Sequence, residues 1–152
     1  MKLKRTPADG YFSDCVRIRA NWTCERCGTE YGGRSQGLHC SHFVTRGASS
    51  IRHDPRNAVA HCHGCHQTID PYEFTTYIDL TFGDGMAAKL HRMRHNTDLG
   101  KQVVKAVKDG SIAQHYKTEF QRMEKLRIDG NTQRLDFDGW NWGDDQIWRK
   151  IL

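Results

Sequence analysis

The sequence predicts an α+β fold, with two short strands in a cysteine- and histidine-rich N-terminal half and a mainly α-helical C-terminal half. Three observations predict it. Five of the six Cys and six of the nine His fall between positions 24 and 66. The same segment holds the best strand candidate, residues 37–44, and a short apolar run, Ala58-Val59-Ala60. From Cys62 onward, apolar residues recur at helical spacing. A chain of 152 residues that is 37% hydrophobic makes one domain with a modest core.

The elements follow in order. Residues 1–10 read as a loose arm. Residues 12–20 read as a short helix, capped by Ser13 and carrying Cys15, Ile18 and Trp22 at roughly helical spacing. Residues 24–37 are rich in Gly and polar side chains, as a knuckle and turn require. Residues 45–56 form a polar loop ending in the turn pair Asp54-Pro55. Tyr72, Phe74, Tyr77, Ile78 and Phe82 give the next helix an apolar face, and Gly83-Asp84-Gly85 ends it. Further helices are expected at 86–95, 99–107 and 111–128, the last two split by Asp109-Gly110. The tail from 130 contains Trp140, Trp142 and Trp148. The expected organisation is therefore 1–69, a helix plus a cysteine finger; 70–130, a helical elaboration packed on it; and 131–152, an aromatic tail.

Charge separates the halves. Residues 1–69 hold 10 Lys and Arg against 5 Asp and Glu, whereas residues 70–152 hold 13 of each. The whole net charge of +5 thus lies beside the cysteines and histidines, which points to a metal, an anion, or both. No run approaches the roughly 18 apolar residues of a membrane span. The basic start is not followed by an apolar stretch, so no secretory signal is expected and the chain reads as cytoplasmic.

Cys24-Glu25-Arg26-Cys27 and Cys62-His63-Gly64-Cys65 are two C-x2-C pairs with 34 residues between them. Each pair suits a knuckle whose backbone N–H groups point at the sulfurs, and two knuckles complete a closed tetrahedral zinc site. Gly28 supplies the positive φ such a knuckle needs. The second pair opens a helix, which places its thiolates at a positive helix end. Disulfides are the weaker reading, because the cysteines come in knuckles. Cys15 reads as a small buried residue, and Cys40 as either core or cleft.

Between the knuckles lie His39-Cys40-Ser41-His42-Phe43 and Arg52-His53-Asp54-Pro55-Arg56-Asn57, and His66 directly follows the second pair. A strand-borne His, then an Asn, then a His one residue past C-x2-C resembles the HNH endonucleases with their treble-clef-like ββα-metal finger. A closer resemblance is to the bacteriophage NinG (Rap) recombination proteins, carried by C-x2-C-G, Ser41-His42-Phe43, Arg52 and Asn57 five residues apart, the second C-x2-C, and Pro71-Tyr72. It covers roughly residues 15–128.

The resemblance implies metal-dependent hydrolysis of DNA, duplex or branched, leaving 5′-phosphate and 3′-hydroxyl ends. It gives His42 the role of general base, for which a neutral imidazole is suited. It gives Asn57 the task of fixing the loop between the strands, and His66 that of ligand to one catalytic divalent cation (Mg, Mn, Zn or Ni). The second ligand departs from the pattern. Ser41 stands where Asp or His precedes the base in many HNH enzymes, and His39 stands where NinG-like chains carry Asp. His39 with His66 is the expected pair; Ser41 is a weak alternative, and His61 and His63 are local ones. A His/His pair favours Zn, Mn or Ni over Mg, because imidazole is a poor Mg ligand.

Arg26, Arg34, Arg46, Arg52 and Arg56, with Arg17 and Arg19, flank the motif and are the expected phosphate contacts. His91, His95 and His115 read as surface residues. The helical half reads as a cover for the finger, with a dimer surface or a platform for branched DNA as its functional alternative. Resolving a four-way junction needs two sites, and hence a homodimer. The tail either docks on its own core or stacks on unpaired bases. The rivals to the nuclease reading are a non-catalytic zinc-finger binding module, whose best argument is Ser41, and an RNA-directed protein.

Overall fold

The first helix, α1, runs Pro7–Arg19 and begins earlier than the apolar spacing predicts. Thr6 caps it rather than Ser13. The Thr6 hydroxyl accepts from Asp9 N–H at 3.3 Å, and the Asp9 carboxylate accepts from Thr6 N–H at 2.8 Å. This is a capping box closed by Asp, and Pro7 sits at the first helical position with its φ already set. The presumed arm therefore folds from Thr6 onward. The computed structural model describes residues 3–142.

Strand β1 (Leu38–His42) pairs antiparallel with β2 (Ala58–Cys62), with His39 opposite His61 and His42 opposite Ala58. Two single-turn 3-10 segments, Ser49–Ile51 and Pro55–Asn57, interrupt the connection between them. Five helices follow: α2 (His63–Thr68), α3 (Pro71–Phe82), α4 (Met86–Met93), α5 (Thr97–Lys108) and α6 (Ser111–Ile128). The molecule is thus α+β, with one two-stranded sheet among the described residues.

Strand alternation sends Ala58 and Val59 into different cores, while Ala60 and Leu38 pack with Cys24 and Cys65 under the knuckles. Ala58 belongs to the main one, where Phe12, Cys15 and Val16 of α1 meet Val103 and Ala106 of α5 and Ile112, Tyr116 and Met123 of α6. Val59 faces the second, which is closed by Val44, Ile51, Phe74, Ile78, Met86 and Leu90. Phe12 is fully buried, edge-on to Tyr116 at 5.1 Å between ring centroids, a burial that contributes about 2–3 kcal/mol. α3 turns Phe74 and Ile78 inward, but Tyr72 is 83% exposed and leaves the expected apolar face.

Beyond α6 the chain docks on its own core. Leu135 N–H donates to Arg19 O at 3.1 Å. Phe137 is buried in the main core, and Trp140 packs against it. The Arg56 guanidinium lies 5.0 Å from the Trp142 ring. Trp148 lies outside the described residues. No helix among the described residues is long and apolar enough to cross a membrane.

Candidate functional site

The four knuckle cysteines converge. Cys24 N–H donates to Thr29 O and Gly28 N–H to Cys24 O, both at 2.9 Å, and Gly28 takes φ +78° as the tight turn requires. On the second knuckle, Cys62 caps α2, and its sulfur accepts from Cys65 N–H at 3.4 Å. The knuckles are locked together by Glu25. Its N–H donates to Ala60 O at 2.8 Å, and its carboxylate accepts from Ala60 N–H at 2.6 Å.

As a result the four Sγ atoms lie within 4.8 Å of one another, with Cys27 and Cys62 at 3.8 Å. Zinc–sulfur bonds of about 2.3 Å in a tetrahedron place sulfurs about 3.8 Å apart, whereas a disulfide needs about 2.05 Å. Hydrogen bonds from Thr29 pull the Cys27 thiol down to about 6, while burial and the neighbouring thiols push Cys65 up to about 12. Crowded sulfurs that resist shedding their last proton are what a dication relieves. The donor set fits a structural metal such as zinc.

A separate cleft of about 690 Å³ opens along β1, between α1 and α2. His39, His42 and His66 all line it. Strand alternation puts His39 and Ser41 on one face. The buried Ser41 hydroxyl lies 2.9 Å from His66 Nδ1, which fixes that ring. The His39 and His66 centroids are 5.3 Å apart, and His63 lies at the same distance from His39. Two imidazoles sharing one ion at about 2.1 Å place their centroids about 4.5–5.2 Å apart, close to the separation of His39 and His66.

His42 sits at the strand end against Phe12, with 5.9 Å between centroids. Its Nε2 lies 2.9 Å from Arg52 O. A carbonyl only accepts, so Nε2 carries the proton and Nδ1 keeps the lone pair. Burial drives His42 down to about 4, so the ring is neutral at pH 7.

The loop that presents Arg52 O is clamped twice. Asn57 is fully buried. Its Oδ1 accepts from Val44 N–H at 2.8 Å, and its Nδ2 donates to Val44 O at 3.0 Å and Ile51 O at 3.1 Å. Asn57 is therefore a positioning residue that ties both ends of the loop and touches nothing in the cleft. The second clamp is Asp9. Arg52 donates to it through Nε at 2.8 Å and Nη2 at 2.5 Å, and His53 Nε2 lies 3.0 Å from Oδ1. Burial would raise the Asp9 carboxyl, but His53 and Arg52 hold it well below the usual carboxylate range. From behind, the Tyr116 hydroxyl of α6 donates to His53 O. The C-terminal helices thus brace the loop under His42.

The expected phosphate contacts divide. Arg46 lines the cleft and has no ion-pair partner among the described residues, as does Arg5, which the sequence did not single out. Arg34 lines the cleft with 63% of its side chain exposed while holding Asp14 at 2.7 Å. Three others are committed to the fold. Arg56 is 2% exposed and bidentate to Asp54, Arg52 is held by Asp9, and Arg26 grips Glu73 through two nitrogens. Arg19 is also buried, donating to Pro55 O and Ala58 O.

His61 is buried against Phe74 at 5.3 Å and does not line the cleft. Cys40 does line it, with burial pushing its thiol up to about 12. His115 is half-buried rather than a surface residue, with Nε2 2.8 Å from Asp138 O. Asp9 carries no signal in the cysteine and histidine pattern; its signal is Thr6-Pro7-Ala8-Asp9, a capping-box spacing that places a buried carboxylate beside the loop. No protein-family model, no curated protein and no solved structure matches this chain.

Proposed function

We propose that the chain is a metal-dependent HNH-type DNA endonuclease. In this reading β1, β2 and α2 are the ββα-metal finger, the four cysteines hold structural zinc, and His39 and His66 hold the catalytic cation. The observation that carries it is the meeting of His39, His42 and His66 in one cleft beside, but separate from, the four-cysteine cluster. A structural finger alone has no need of a neutral, loop-clamped histidine at the rim of an arginine-lined cleft.

The chemistry follows from the side chains. His42 Nδ1 takes a proton from the attacking water, and Nε2–H on Arg52 O holds the ring in the tautomer that permits it. Arg5, Arg46 and Arg34 draw the phosphodiester into the cleft. Water oxygen bonds to phosphorus, the bond to the 3′ oxygen breaks, and solvent returns a proton to the leaving oxygen. A divalent ion held there supplies charge relief on the scissile phosphate and the leaving oxygen. Ser41 orients His66 instead of serving as a ligand. The products would carry 5′-phosphate and 3′-hydroxyl ends, and the resemblance to NinG proteins suggests phage recombination as the setting.

The test is incubation of zinc-loaded protein and its His42→Ala variant with supercoiled plasmid, with Mn, Ni or Mg supplied. Nicking that needs an added ion and is lost in the variant is expected. Equal, ion-independent behaviour of the two proteins overturns the enzyme reading. One observation favours the non-catalytic finger instead: the cleft's carboxylate, Asp9, is occupied by Arg52 and His53. The same experiment separates the two readings.

A further inference from the structure

The second groove of the molecule has about 1210 Å³ and runs between the 3-10 turn Ser49–Ile51 and α5. Arg94, Lys101, Lys105 and Lys108 line it. Among the described residues none of these four has an ion-pair partner. By contrast, Arg17, Arg26, Arg52, Arg56, Arg122 and Arg134 are all committed to carboxylates. The residues 70–152 balance to zero in number, yet four of their cations without an ion pair meet in this one groove. The one carboxylate in the groove, Asp109, is engaged by the Ser111 N–H at 2.9 Å and the Ser111 hydroxyl at 2.6 Å.

The placement is organised. Lys101, Lys105 and Lys108 stand at i, i+4 and i+7 on α5, while Val103 and Ala106 turn into the core. At 1.5 Å per residue the row spans about 10.5 Å, the axial length of roughly three phosphates of one DNA strand. The turn that forms the other wall is rigid, since Ser50 Oγ donates to Met93 O at 2.7 Å at the end of α4. Thr45 lines both this groove and the histidine cleft, and Arg46 continues into the cleft.

We propose that this groove is a phosphate track for duplex DNA, holding the strand that leaves the histidine cleft past Thr45. The proposal rests on the nuclease reading for what occupies the cleft. It assigns the helical half a binding role beyond covering the finger. Substrate affinity then depends on duplex length, because a duplex too short to pass Thr45 reaches the cleft alone.

The experiment measures anisotropy of fluorescein-labelled 30-base-pair and 8-base-pair duplexes on full-length, zinc-loaded protein without added catalytic cation, across a salt series. The Lys101→Gln/Lys105→Gln/Lys108→Gln variant is compared with wild type and with Lys117→Gln/Lys125→Gln, two exposed α6 lysines outside the groove. All five lysines are exposed, so the variants keep the fold, which circular dichroism checks. For the groove variant on the long duplex, the expected result is at least ten-fold weaker binding at 0.1 M salt and a log–log salt slope shallower by about 2–3. The control and the short duplex should change less than two-fold. Arg94→Gln, on a different element, should lower the slope by about 1. Equal slopes for groove variant and wild type overturn the track, even if plasmid is cleaved. A slope loss in a protein that never cleaves plasmid supports the track and removes the nuclease reading. Tighter binding of duplex RNA than of DNA, with the same lysine dependence, overturns the DNA assignment.

Discussion

Replacing Asn57 tests the clamp beneath His42. Its side-chain orientation is dictated by its partners, because Val44 N–H demands an oxygen and two carbonyls demand the amide nitrogen. Asn57→Ala removes three hydrogen bonds and strands three backbone groups at residues that are 2% exposed or less. At about 1 kcal/mol each the loss is about 3 kcal/mol, and the small void raises it to about 4. Asn57→Asp keeps the volume and the Val44 N–H bond. It sets a bare carboxylate oxygen against two carbonyl oxygens at 3.0 and 3.1 Å. That carboxyl must take up a proton to donate, so its folded pKa rises above the unfolded value. The Asp variant is then at least as unstable as the Ala variant at pH 7; it recovers as pH falls through the raised folded pKa, and the recovery is complete below the unfolded value of about 4, where a proton restores one donor. Guanidinium denaturation of zinc-saturated protein, with m unchanged, reads both losses. A cost under about 1 kcal/mol for either variant, or an Asp variant milder than Ala at pH 7, refutes the clamp.

Three further outcomes follow from the same geometry. Chelation of the bound metal, or Cys62→Ser, should abolish cooperative unfolding, because the site ties β2 and α2 to the first knuckle; thermal melts with and without chelator check this. Asp9→Asn should lower stability at pH 7 and flatten its acid dependence. The native Asp9 binds fewer protons than the unfolded chain, so its contribution is complete above about pH 4 and is lost as pH falls toward its depressed native value, which denaturation from pH 2 to 7 will show. Ser41→Ala should leave stability within about 1 kcal/mol and weaken cation binding about ten-fold by freeing the His66 ring, read by Mn titration of the zinc-loaded protein.

The helices after Cys62, both strands and the two cysteine knuckles were legible because each rests on local spacing. C-x2-C, the Asp109-Gly110 break and the apolar repeat of residues 112–126 need only neighbours a few residues away. The gathering of His39, His42 and His66 was legible through motif order. What escaped depends on partners far apart in the chain. Residues 45–56 look like a solvated loop, but His53, Asp54 and Arg56 are buried because Asp9, Tyr116 and their own neighbours satisfy them. The arginines look alike in sequence; only the fold separates Arg56, locked on Asp54, from Arg46, left facing the cleft. The lysine row of α5 was hidden by a balanced count.

The central claim is that the histidine cleft holds a metal site distinct from the cysteine one. Anomalous diffraction from crystals of zinc-loaded protein soaked in Mn, collected on either side of the zinc and manganese edges, tests it most directly. The expected result is a zinc peak among Cys24, Cys27, Cys62 and Cys65 and a manganese peak between His39 and His66. A zinc peak alone, or manganese found only away from the cleft, contradicts the claim.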